Sequence, residues 1–212
     1  MKKYTIEDLK GFEKDGDGRL LCPAGDYTEI ASFPGWCSFG VGCSFGARCS
    51  FGAGCSFGAG CNFGVGCRFG ERCRFGEWCS FSEWCSFGAE CGFGEWCRFG
   101  ERCRFGEWCS FGERCRFGEW CNFGAECRFE GGHIAAPGYP LFIFSGFGSE
   151  NRTTYAFNCQ DGIWVRCGCF SGSLEEFREK VRERHGDTPF AIEYLAIADL
   201  IERRFSREGG AR

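Results

Sequence analysis

Twenty cysteines and two histidines carry the most obvious chemistry in this 212-residue chain. From Cys37 to Cys127 a cysteine stands at every sixth position. Thiolates are soft ligands, so such a series invites a metal reading. Zinc, however, needs four ligands converging as a tetrahedron, and its motifs show irregular cysteine pairs. A uniform rhythm shared with other residues makes each cysteine a structural slot. Cys159, Cys167 and Cys169 could join His185 in a second cluster. A two-residue turn at Asp161-Gly162 is predicted to pair Cys159 with Trp164, which puts Cys159 on the face opposite Cys167 and Cys169. Neither group is assigned a metal, and no cofactor is expected. His185 closes a predicted helix, where a cation is favourable anyway. His133 lies just past the last repeat.

The elements that position these residues follow from the same rhythm. A phenylalanine stands at 33, 39 and every sixth position to 129, and glycine follows most of them. In Trp78-Cys79-Ser80-Phe81, strand alternation turns Cys79 and Phe81 to one face and Trp78 and Ser80 to the other. The glycine after each phenylalanine is read as a turn residue of positive φ. Three such units close a triangular coil of eighteen residues, and coils stack through parallel strands. Leu21, Tyr27 and Phe33 extend the spacing backward to an irregular first coil, as stacked repeats require at their ends.

Outside the repeat the signals are local. Thr5 and Asp8 cap a helix predicted over 4–14. Asp15-Gly-Asp-Gly18 has the opening spacing of a calcium loop without its final acidic ligand, and reads as a turn. Residues 131–140 form a linker. Pro140–Phe144 is a predicted strand, and Arg152–Gln160 and Ile163–Phe170 a hairpin. Ser173 and Glu176 open a helix to about His185, and Pro189 opens a second to about Phe205. The domains are therefore a cap at 1–20, the repeat at 21–130, the linker, and an α+β domain at 141–212.

Composition narrows the setting. Residues 1–32 carry a net charge of −2, and residues 33–130 and 131–212 carry −1 each. No basic footprint for nucleic acid stands out. Met1-Lys-Lys runs into Tyr4-Thr-Ile-Glu-Asp without an apolar leader. No apolar run reaches membrane-spanning length. Evenly spaced, buried-type cysteines point to reduced thiols, so a cytoplasmic protein is expected.

Written as Phe-Gly-x-x-Cys-x, the unit resembles the hexapeptide repeat of left-handed β-helices. In that family an aliphatic residue takes the place of Phe and a small residue that of Cys. The resemblance implies a mainly β fold, a left-handed parallel β-helix of about six coils between the helical cap and the α+β domain. The chain also resembles Cys-x-Phe-Gly repeat proteins of gut bacteria and their phages. Left-handed β-helices are often acyltransferases with a histidine in a cleft, which makes His133 the residue of an alternative, enzymatic reading.

With Cys and Phe inside, the variable residues form the surface. Trp and Arg dominate interface hot spots. Trp78, Trp84, Trp96, Trp108 and Trp120, with Arg98, Arg102, Arg114 and Arg116, form the expected interaction surface. Tryptophans stacking on arginines of neighbouring coils would shield part of it. The expected function is non-enzymatic protein binding, with a protein partner or a homo-dimer, in the manner of a phage inhibitor of a bacterial host or defence protein. Columns of Glu at 77, 95, 113 and at 83, 101, 119 also allow a nucleic-acid mimic.

Overall fold

The computed structural model describes residues 1–136, 139–149 and 152–208. Contacts divide the chain into two units, one built on Met1–Gly132 and one on His133–Ala136 with the chain from Pro140 onward. Pro137 and Gly138 of the linker lie outside the described residues.

The first unit is a three-sided parallel β-solenoid. Its strands are two or three residues long and fall into three six-stranded sheets, one per side. Strands eighteen residues apart are neighbours, as in Asn62–Phe63, Ser80–Phe81 and Arg98–Phe99. Three backbone bonds per hexapeptide tie the coils together. In one unit they are Trp78 N–H to Glu95 O, Ser80 N–H to Cys61 O and Ser82 N–H to Phe63 O. The repeat cysteines and phenylalanines are buried. Phe81 stacks on Phe63 at 4.8 Å and on Phe99 at 5.0 Å, and meets Phe75 and Phe87 edge-on at 5.0 Å. Such aromatic pairs add about 0.5–1.5 kcal/mol each beyond the area they bury, which is why Phe can replace an aliphatic residue here.

Glycine works differently from the sequence expectation. Positive φ does not fall on the glycine after Phe. It falls on the residue before each Cys: Trp78 at 60°, Trp84 at 62°, Arg102 at 58°, Gly66 at 72°. That residue lies in the turn, so the tryptophans are turn residues and not strand residues. The glycine after Phe is needed for close approach. A Cβ on Gly88 would lie 2.7 Å from Glu71 N, and one on Gly94 2.7 Å from Glu77 N, each in the coil below. The first coil has no repeat coil beneath it, and there the slot holds Thr28 and Pro34.

Both ends are capped by side chains. Tyr4 N–H bonds to Asp26 O, and its ring stacks on Tyr27 at 5.0 Å. The N-terminal helix is Ile6–Lys10, shorter than predicted, because Gly11 ends it and Phe12 turns back edge-on to Tyr4 at 5.3 Å. Its capping box of Thr5 and Asp8 is present, and Asp15 Oδ1 accepts from Asp17 and Arg19 N–H in the predicted turn. At the far end the Glu130 carboxylate accepts the Arg114 N–H at 2.9 Å.

The second unit is α+β. Leu141–Phe147, Arg152–Cys159, Gly162–Cys167 and Phe170–Ser173 form an antiparallel sheet in sequence order. Helices Leu174–His185 and Pro189–Glu208 supply Phe177, Val181, Tyr194, Ile197 and Ile201 to a core shared with Phe144, Ala156 and Val165. The Ser173–Glu176 capping box forms. Arg178 bridges both helices through Glu175, Asp199 and Glu202. The hairpin register departs from expectation. Cys159 pairs with Gly162, and Trp164 with Phe157. Gly162 uses its φ of 125° to begin the strand, which leaves Gln160–Asp161 as the loop. The shift is two residues, so Cys159 still faces away from Cys167. The 133–136 stretch joins this sheet, with Ala136 N–H bonded to Asn158 O and Gln160 N–H to Ile134 O.

Candidate interaction surface

The cysteines form three ladders along the inside of the solenoid. All twenty are free thiols. A typical one, Cys79, donates to Gly58 O at 3.5 Å. The contact with the Cys103 thiol and then burial push the Cys85 thiol up to about 12, and burial holds Cys159 at about 12. In the column of Cys37, contacts with neighbouring thiols and then burial push Cys37 and Cys73 up. A thiolate there would stand in an apolar core between phenylalanine rings, so we take the whole column as protonated. Among the described residues no three candidate ligands converge as a metal would require. Cys167, Cys169 and His185 do line one cavity of about 230 Å³, beside Lys180 and Arg184.

His133 sits in the second unit. Its ring lies on Trp164 with centroids 3.9 Å apart, and its Nδ1 is 2.6 Å from Asp161 Oδ2. The pair lines a cavity of about 450 Å³ with Arg178 and Glu202. Held by a carboxylate at Nδ1, the ring would present Nε2 as a base.

The predicted surface residues separate into columns, because turn positions repeat every eighteen residues. Trp78 and Trp96 stack at 5.0 Å, 4° from parallel, and the Arg114 guanidinium lies 4.8 Å above Trp96. In a second column Arg102 lies 4.8 Å over Trp84, with Trp120 in the next coil. Trp108 stands in the third column between Glu90 and Glu126. Trp78, Trp84, Trp108 and Trp120 are exposed, with 47 to 64% of their area open to solvent despite this stacking. Arg98 and Arg116 are cross-strand neighbours on the outer face. Among the described residues no carboxylate forms an ion pair with either, and adjacent like charges are unfavourable.

Three arginines outside the predicted set belong to the same surface. Arg48, Arg68 and Arg104 join Arg102, Trp84, Ser50 and Ser86 in a groove of about 490 Å³ on one side of the solenoid. The signal for them was the pairing of each turn residue with the strand residue two places on, repeated every eighteen.

A family model described as RNA-binding, Nab2-type zinc finger matches residues 36–52, 49–64, 67–82 and 84–106. These segments supply cysteines at the six-residue spacing and no histidine, and their thiols lie in the buried ladders. The match therefore follows the cysteine rhythm without a Cys₃His ligand set. Neither the curated proteins nor the solved structures show a match to the chain. No helix among the described residues is long and apolar enough to cross a membrane.

Proposed function

We propose that the chain is a non-enzymatic interaction protein whose later coils present Trp, Arg and Glu to a protein partner. One observation carries this reading. Among the described residues twelve non-glycine residues hold a positive φ, all at the turn position before a repeat cysteine. Gly42, Gly54, Gly60 and Gly66 fill the same position in the early coils, so the fold does not need a side chain there. A left-handed backbone costs an L-residue roughly 1–2 kcal/mol. Strain retained at repeated exposed sites supports selection for what those side chains touch. The resemblance to repeat proteins of gut bacteria and their phages makes a bacterial host or defence protein in the cytoplasm the proposed target. The near-balanced charge of the rod speaks against a nucleic-acid partner. Homo-dimerisation through the same indoles belongs to this reading.

The test is affinity capture from bacterial lysate with the wild-type chain and a W78G/W96G/W108G variant, read by mass spectrometry. The proposal requires a partner, or self-association, that the variant loses. Equal capture by both chains would contradict it.

A second reading rests on the His133–Asp161 pair, which has the orientation of a general base in an acyl transfer. Loss of an acyl-CoA-dependent activity in His133→Ala would replace the binding reading with an enzymatic one.

A further inference from the structure

The groove around Trp84 has a missing rung. Its turn column runs Arg48, Gly66, Trp84, Arg102 and Trp120, one residue per coil. The coils there are 4.9 Å apart, as measured by the Phe51–Phe69 and Phe69–Phe87 stacks. Above the gap, Arg102 covers the upper face of Trp84 at 4.8 Å. Below it, the Arg48 stem passes 3.7 Å from where a Gly66 Cβ would be, so Arg48 forms a floor. Between Arg48 and Trp84 lie two 4.9 Å steps and no side chain, since the residue at that level is Gly66.

The geometry points to this groove as a binding site for a free nucleotide, with the base as the absent rung and the phosphates on the arginines. A planar ring at the Gly66 level lies one coil step from the Trp84 indole and one from the Arg48 position, whose guanidinium can swing beneath it. Both separations match stacking and cation–π distances, and the Trp78–Trp96 pair already shows the spacing at 5.0 Å. Arg68 is two residues from Gly66 in the same coil, and Arg104 projects from the same outer face two coils on. Together with Arg102 they can clasp phosphate oxygens, with the Ser50 and Ser86 hydroxyls beside them. Among the described residues no carboxylate forms an ion pair with any of the four arginines, and none lines the groove. Glu83 and Glu101 precede Trp84 and Arg102 in the chain, at the adjoining corner. A volume of about 490 Å³ lies in the usual range for small-molecule sites, roughly 300–1,000 Å³. An acidic peptide would satisfy the arginines and leave the ring slot empty, which is why the nucleotide is favoured. The site shares Trp84 and Arg102 with the proposed interaction surface but includes none of Trp78, Trp96 and Trp108, so the capture variant leaves it intact and the two readings can fail separately.

The experiment is calorimetric titration of the full chain with ATP, GTP, CTP and UTP, and with inorganic triphosphate, adenosine and a short single-stranded RNA as controls. At least one nucleotide is expected to bind, at least tenfold more tightly than triphosphate or adenosine. Gly66→Trp fills the rung and is expected to lower that affinity at least tenfold. The fold admits it, since Trp84 holds an indole on the same backbone one coil up, and a melting curve checks this. Arg68→Gln with Arg104→Gln gives a second route to the same loss without touching the turn. Absence of binding by all four nucleotides overturns the proposal. So does triphosphate binding as tightly as the nucleotide, or RNA binding where no free nucleotide does.

Discussion

Trp78 and Trp96 stack face to face at 5.0 Å while each holds its backbone at a φ of 60°. The stack returns part of what the backbone conformation costs, and Arg114 adds a cation–π contact above it. Trp108 has the same φ of 60° without such a stack, since Glu90 and Glu126 are its column neighbours. Trp108→Gly is therefore expected to leave stability unchanged or raise it by up to about 1 kcal/mol, strain relief being partly offset by the greater freedom of an unfolded glycine. Chemical denaturation measures it. A drop of more than about 1 kcal/mol would mean that the indole is a packing element.

The glycine after Phe answers to a different constraint. Gly88→Ala puts a Cβ 2.7 Å from the Glu71 nitrogen, and the expected loss is about 1–3 kcal/mol of stability from overpacking. Ser82 already places a Cβ at the same slot, so the coil below can give slightly, and the variant should fold. A melting temperature equal to wild type would show that the coils are not held this close.

The thiols give a pH prediction. Cys85 and Cys159 are held at about 12 in the folded chain, against about 8.5 for a free cysteine. Above that lower value the unfolded chain releases thiol protons that the folded chain keeps. Stability from this source is whole below about pH 8.5 and falls as pH rises toward 12. Melting temperature should be level from pH 6 to 8 and decline above pH 9.

Alkylation of the native protein at pH 7.5 should mark the exposed Cys169 first, with the ladder cysteines reacting only on unfolding. Rapid modification of Cys79 or Cys85 would contradict a buried ladder.

The coil architecture was legible because Phe and Cys share one period, and only a three-sided coil with an inward face uses both. The position of strain was not. Trp and Arg before each Cys read as strand residues under simple alternation, and nothing in their chemistry announces a left-handed turn. Gly42, Gly54, Gly60 and Gly66 at that slot were the available sign, masked by the more frequent glycine after Phe. The groove arginines were legible as neighbours, since a step of eighteen residues puts Arg48, Arg68, Arg102 and Arg104 on one side of the coil, but the groove between them was not, because its depth depends on where the side chains lie. The His133–Asp161 pair was illegible for a related reason. Asp161 was read as a turn residue in a hairpin with its register two residues off, and the 133–136 stretch as linker when it bonds to the sheet.

The central claim is that side chains on the strained turns serve recognition and not folding. The most direct measurement compares wild type with W78G/W96G/W108G, reading partner binding or self-association and melting temperature on the same samples. The account predicts binding reduced at least tenfold with a melting temperature that does not fall by more than a few degrees. Binding that persists, with a melting temperature that collapses, would contradict it.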